Sequence, residues 1–286
     1  MKKTLFAFAF AVFISAAFGE DLKLLNFADY LYGSGDYYRA ISEYKRFIYY
    51  EPEAKSDGRA AYMIGMSYMG AEKWDGAIDA FESAEKKYGG ETAGISLLAE
   101  SICYTNKKDY AYSDMLLSRL DSGYNNPAES DISAYARGFN LIYEKKWDDA
   151  RGMMLKVSGS GGDEIRNSAV SIAAMLEKSS GIEQKSQVLS VLFAAVVPGT
   201  GYYYCGRWAD GLFAMIFNAY FLYNTYYSFS KNDNLMKVIY GVPGAVFYFS
   251  NIYGSAVAAN KFNNDETDNF ISSIEAKKSG ILSIKF

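Results

Sequence analysis

Four stretches of the chain carry the same arrangement of apolar, small and polar positions: GDYYRAISEY (35–44), KWDGAIDAF (73–81), KDYAYSDML (108–116) and KWDDARGMM (146–154). Each sets an aromatic three residues before a small side chain, in the pairs Tyr37/Ala40, Trp74/Ala77, Tyr110/Ser113 and Trp147/Ala150. The small positions follow one another at 37, 36 and 37 residues. Upstream of each lies a second small residue (Ala28, Gly65, Ser101, Gly138), and three further on a larger one (Leu31, Tyr68, Tyr104, Leu141). Four residues past the first small position stand Tyr44, Phe81, Leu117 and Met154. Such a period is that of helix–turn–helix repeats and far from propeller or leucine-rich ones. Two small residues let two helices approach, and the larger ones fill the space around that contact. The Gly/Ser breaker SGSGGDE (158–164) precedes a helical pattern at 165–178, which predicts a capping helix.

This spacing resembles the tetratricopeptide repeat (TPR), whose unit is two antiparallel helices. The resemblance implies an all-α fold, a right-handed helical solenoid over residues 20–157, and a protein or peptide as partner. Pro52 falls where the family often closes a unit. The repeat is longer than the usual length of about 34. Glu100 and Arg137 also depart from it, since they replace an apolar position held by Phe27 and Ile64 in the first two units. They either pair across adjacent repeats or mark an eroded match. Family packing assigns first-helix residues to the groove: Leu25 and Asp29, then Tyr62, Met66, Leu98, Ile102, Tyr135 and Phe139. After the first unit this groove is aromatic and aliphatic, suited to an apolar helix or extended segment. The same spacing also suits inter-repeat core, and a plain helical bundle is the alternative to the solenoid.

Beyond the linker at 179–187 the chain changes character. Val188–Gly206, Gly211–Ser230 and Val238–Asn260 contain no charged residue, and the last two are long enough for the hydrocarbon of a bilayer. The first is broken at Pro198-Gly199-Thr200-Gly201, which predicts a re-entrant or interfacial segment. Pro198, Gly199, Gly201, Tyr204, Gly206 and Gly211 in PGTGYYYCGRWADG resemble the Pro-Gly-x-Gly-x-x-Tyr-x-Gly turn of bacterial two-transmembrane-helix domains, over about residues 186–263. Arg207 and Asp210, three apart in that turn, read as interfacial anchors. Small pairs Gly254/Ala258 and Ser255/Ala259 allow close helix contact in lipid. The resemblance implies a hydrophobic helical hairpin in a membrane at 188–263, with a polar tail at 264–286. A soluble apolar domain or an oligomer core is the competing reading.

At the other end, Lys2 and Lys3, the apolar run Leu5–Ile14 and Ala17-Phe18-Gly19 read as an export signal over residues 1–19. With a net charge of −4 and a pI near 5.1, nucleic acid is not the expected partner. The absence of His excludes imidazole bases and ligands, and two cysteines, Cys103 and Cys205, exclude a thiolate zinc site. PGTG lacks the Lys and Ser/Thr of a phosphate loop. No cofactor, metal or catalytic residue is expected. The sequence therefore reads as a non-enzymatic exported adaptor, anchored in a bacterial membrane with its repeats extracytoplasmic. The alternative is a component of an envelope transport or assembly machine in which the C-terminal domain works and the repeats dock.

Overall fold

The computed structural model describes residues 24–50, 57–123, 127–160 and 162–279. The expected export signal and Pro52 lie outside the described residues. Among those described, secondary structure is helical with no strand. Two compact units are present, one reaching Glu177 and taking in the segment from Lys277, the other Lys178–Ala276.

The first unit is built from helix pairs. Helix α1 (24–33) packs with α2 (Tyr37–Tyr50), α3 (Asp57–Gly70) with α4 (Trp74–Tyr88), α5 (Gly90–Asn106) with α6 (Tyr110–Gly123), and α7 (Pro127–Tyr143) with α8 (Trp147–Met154). Helix α9 (Asp163–Leu176) then covers α8. Each pair turns in the same way. The amides of Asp36, Lys73, Asp109 and Lys146 donate to the carbonyls of Leu31, Tyr68, Tyr104 and Leu141, all at 2.9 Å. The preceding residue, Gly35, Glu72, Lys108 or Lys145, takes a positive φ between 56° and 80°. This is the left-handed helix stop that bonds back to the last turn. Only the first copy has the glycine that fits it at no steric cost, so the turn is imposed by packing on three less suitable residues.

The small positions explain the period. Ala28, Ala40, Ala77, Ser101, Ser113 and Ala150 are buried. The larger side chains that meet them, Tyr44, Phe81, Leu117 and Met154, are also buried. A side chain at Gly65 would run into the Phe81 ring, and one at Gly138 into Met154. Ser113, where the other repeats have Ala, is satisfied by Asn140, whose amide donates to it at 2.9 Å, and by Thr105 at 3.0 Å. The Gly/Ser breaker is pinned by Asp131, which accepts from the amides of Ser158 and Gly159 at 2.8 Å each.

The second unit contains α10 (Gln187–Val196), α11 (Thr200–Tyr204), α12 (Trp208–Ser230) and α13 (Asn234–Glu275). Residues 264–275, the start of the expected polar tail, form the last turns of α13. Thr267, Phe270 and Ile274 follow at helical spacings of three and four, which keeps one face of the helix there. Packing here is inverted. Ser190, Asn218, Ser228, Asn251, Ser255 and Thr267 are inside, while Val188, Val196, Phe213, Tyr226, Phe249 and Tyr253 are well exposed.

The expectation of membrane-spanning helices needs correcting. No helix among the described residues is long and apolar enough to cross a membrane. Freedom from charge is not the same as apolarity. Helix α12 carries Asn218, Asn224 and Thr225 among its tyrosines, and α13 carries Pro243, Ser250, Asn251 and Ser255.

Candidate functional site

The residues expected to line the groove are mostly not open. Leu25, Tyr62, Met66, Leu98, Tyr135 and Phe139 are all buried, while Ile102 and Asp29 are half-buried, Asp29 being held by Tyr44 and Arg59. Tyr62 and Met66 pack with Ala77, Phe81 and Cys103 in the core between the second and third pairs. First-helix apolar residues thus serve inter-repeat packing, because each first helix has neighbours on both sides along the stack.

An open cleft lies elsewhere, between α2 and α4 with α3 as its floor. Its volume is about 430 Å³. Ile64 and Tyr68 of α3 make the floor, Ile48 and Ala80 line its sides, and Lys45, Lys87 and Asp79 stand on its banks. The Lys45 ammonium lies 5.9 Å from the centre of the Tyr68 ring. An apolar floor with cations at the edge suits a peptide side chain below and a carboxylate above. The repeat pattern contains this cleft's residues, but it could not show that Gly76, Ala80 and Ser83 leave the space between the second helices unfilled.

Glu100 and Arg137 do not pair with each other in the bonds the structure forms. Arg137 reaches Asp114 at 2.9 Å and Asp121 at 2.7 Å, both on α6. Glu100 is buried, and its Oε2 has no hydrogen-bond partner among the described residues. Burial first, then the neighbouring Glu82 and Glu85 carboxylates, push its carboxyl from 4.5 up to about 7, against the pull of Arg119 and Lys86. Burial likewise raises the Cys103 thiol to about 12, so it is no nucleophile at neutral pH.

The shift at Glu100 makes stability fall with rising pH. Below 4.5 the group is protonated in folded and unfolded chain alike. Between 4.5 and about 7 the unfolded chain ionises first, so folding loses ground, and above 7 the whole cost is present. Each tenfold change in proton affinity is worth about 1.4 kcal/mol. Screening by the surrounding ions leaves on the order of 2 kcal/mol. Glu100→Gln should therefore stabilise the chain by about that much at pH 8 and by little at pH 4.5. Denaturant unfolding at the two pH values checks this, and an equal gain at both would reject it.

The residues of the PGTGYYYCGRWADG turn come together around a break in the chain. Pro198 and Gly199 separate α10 from α11, and Gly199 has φ +95°. Asn251 of α13 clips both sides of the break: its Nδ2 donates to the Ala194 carbonyl at 3.0 Å, and its Oδ1 accepts from the Gly199 amide at 2.9 Å. The single Ser190 hydroxyl hydrogen is shared between the carbonyls of Ser255 at 2.8 Å and Gly201 at 3.1 Å. Tyr248 donates to the Ala195 carbonyl at 2.7 Å. The Tyr204 hydroxyl accepts from the Ser186 amide at 3.1 Å. Gly201 and Gly211 are sites of close approach, while Gly206 takes φ +75° in the same stop as the repeat turns. Arg207, which is exposed, bonds the half-buried Asp210 at 2.6 Å. The sequence motif located the turn. It missed Asn251, whose only signal was an amide inside a charge-free stretch.

Among the described residues, no group of His, Cys, Asp and Glu is arranged to hold a metal ion. Helix pairs on a period of 36–37, joined by identical turns, define an all-α protein of TPR-like build. No family model matches the chain, the two-transmembrane-helix family included, and no curated protein matches it. Among solved structures the chain is similar to a tetratricopeptide repeat protein from Parabacteroides merdae ATCC 43184, at 15% identity and a TM-score of 0.44, over 89% of this chain and 98% of that one. At that score the likeness adds no argument; the repeat class rests on the chain's own period and turns.

Proposed function

We propose that the protein is a non-enzymatic scaffold that holds a protein partner on its helical repeats. The observation that carries this reading is the open apolar cleft between α2 and α4, with Lys45 and Lys87 on its banks. A partner segment with an apolar side chain and an adjacent acidic group meets both features. Ser83→Trp, at an exposed position on the cleft wall, should fill the space and lower capture of partner at least tenfold without changing the unfolding curve. Equal capture by the variant and the original chain would remove the cleft from the function.

The inverted packing of α10–α13 supports a second element, that the second unit is seated in lipid with no helix among the described residues long and apolar enough to cross it. The sequence of residues 1–19 supports export of the repeats. Hydropathy of each helix is lowered by Asn, Ser and Gly that face other helices, whereas the outward side chains are large and apolar. Helices that enter lipid as a packed group turn their polar groups toward one another and satisfy broken backbone internally. Asn251 and Ser190 do this for the break at Pro198. The full chain should then stay in the membrane pellet through high salt and alkaline carbonate and leave it only in detergent. Release by carbonate alone would overturn the lipid seat.

A further inference from the structure

Outside the cleft, one set of side chains on the first-helix face of the repeats handles peptide backbone. Tyr135 and Phe139 of α7 and Ser168 of α9 surround the short segment Lys277-Lys278-Ser279, which leaves the turn after α13. Ser168 Oγ donates to the Lys277 carbonyl at 2.5 Å. The Ser279 amide donates to the Tyr135 hydroxyl at 2.9 Å. The two hydroxyls are 2.6 Å apart. Because the Ser168 hydrogen is committed to the Lys277 carbonyl, the hydrogen between them comes from Tyr135. The relay therefore runs one way, from the Ser279 amide through Tyr135 and Ser168 to the Lys277 carbonyl, with every hydrogen used. Between the two backbone contacts the Lys278 ammonium lies 4.7 Å from the centre of the Phe139 ring.

We infer that Tyr135, Phe139 and Ser168 form a clamp for a short peptide segment with a basic residue at its middle position, and that the chain's own Lys277–Ser279 occupies it as a tethered competitor. Two features separate a clamp from ordinary packing. Recognition is of main-chain groups two residues apart plus one cation on a ring face, which reads a peptide without dependence on most of its sequence. The occupant also fits imperfectly, since Ser279 Oγ is buried with no partner among the described residues. A buried hydroxyl left unpaired opposes binding. A segment with Ala in that place is thus a better ligand than the one in residence. A tethered segment is present at an effective concentration on the order of millimolar, so a free peptide of micromolar affinity competes only once the tether is loosened. This inference rests on the scaffold reading above and gives it a second site, regulated in cis.

The test uses the full chain in mild detergent. Trypsin should cut after Lys278 slowly in the original chain, and at least tenfold faster in Tyr135→Phe/Ser168→Ala, with cleavage in the repeats unchanged. A labelled synthetic peptide spanning residues 274–286 should bind Ser279→Pro, which lacks the amide hydrogen, at least tenfold more tightly than it binds the original chain. The same peptide with Ala for Ser279 should bind more tightly still, and with Glu for Lys278 it should not bind. Equal tryptic rates in the two chains would overturn the docking of the segment. Equal peptide affinity for the original chain and Ser279→Pro would overturn competition in cis, and binding to neither would overturn the clamp. Each of those failures leaves the α2–α4 cleft to stand or fall on Ser83→Trp.

Discussion

Gly199→Ala should unfold the second unit. The residue sits at φ +95°, where a side chain is strained by about 1–3 kcal/mol before any contact is considered. An added Cβ would lie 2.2 Å from the Gly211 carbonyl oxygen and 3.2 Å from the Met215 amide nitrogen. Both are backbone atoms of α12, so no rotamer change relieves the clash. Overpacking adds about 1–3 kcal/mol or more, and a sum of several kcal/mol is a large share of the usual stability of about 5–15 kcal/mol. Gly206→Ala provides the control. It has φ +75° but open space around its Cβ position, so only strain applies. In detergent, Gly199→Ala should melt many degrees lower, with the region around Asn251 exposed to protease, and Gly206→Ala should melt only slightly lower. Equal behaviour of the two would show that the close approach of Gly199 to α12 does not limit stability.

Much of the fold is legible from the sequence because packing of repeated helix pairs constrains residue size. Ala28, Ala40, Ala77, Ser113 and Ala150 are readable as contact points without any structure, and they are buried. Function was harder to read for a related reason. An apolar stripe on a first helix has the same period whether it faces a guest or the next repeat, and Tyr62 and Met66 pack with Ala99 and Cys103 of the next repeat. The cleft at Lys45 and Lys87 is made by small residues that leave a gap, and a gap has no sequence signature of its own. Absence of charge suggested membrane spans, yet the tyrosines, asparagines and serines of α12 and α13 lower their hydropathy while being distributed between an outer and an inner face. The clamp joins residues more than a hundred positions apart through backbone atoms, which no side-chain pattern reveals.

The two glycines of the first-helix small position should answer differently to the same substitution. At Gly65 a Cβ would stand 2.4–2.8 Å from three atoms of the Phe81 ring. That ring is fully buried, with the tilted Tyr62 ring 5.6 Å away, so it cannot retreat. Gly65→Ala should therefore destabilise the repeats by about 1–3 kcal/mol through overpacking, partly offset by the better helix propensity of alanine, worth about 1 kcal/mol. At Gly138 the close atom is the terminal methyl of Met154, at 2.6 Å, with the sulfur already at 3.2 Å. A methionine has three side-chain torsions with which to move that methyl aside. Gly138→Ala should accordingly be neutral or slightly stabilising, the helix term being the larger one. Gly65→Leu and Gly138→Leu should both destabilise, because a branched side chain exceeds what Met154 can yield. Denaturant midpoints of the four variants in the full chain check the order, and a Gly65→Ala midpoint at or above that of Gly138→Ala would mean that the Phe81 ring is not the fixed point between α3 and α4.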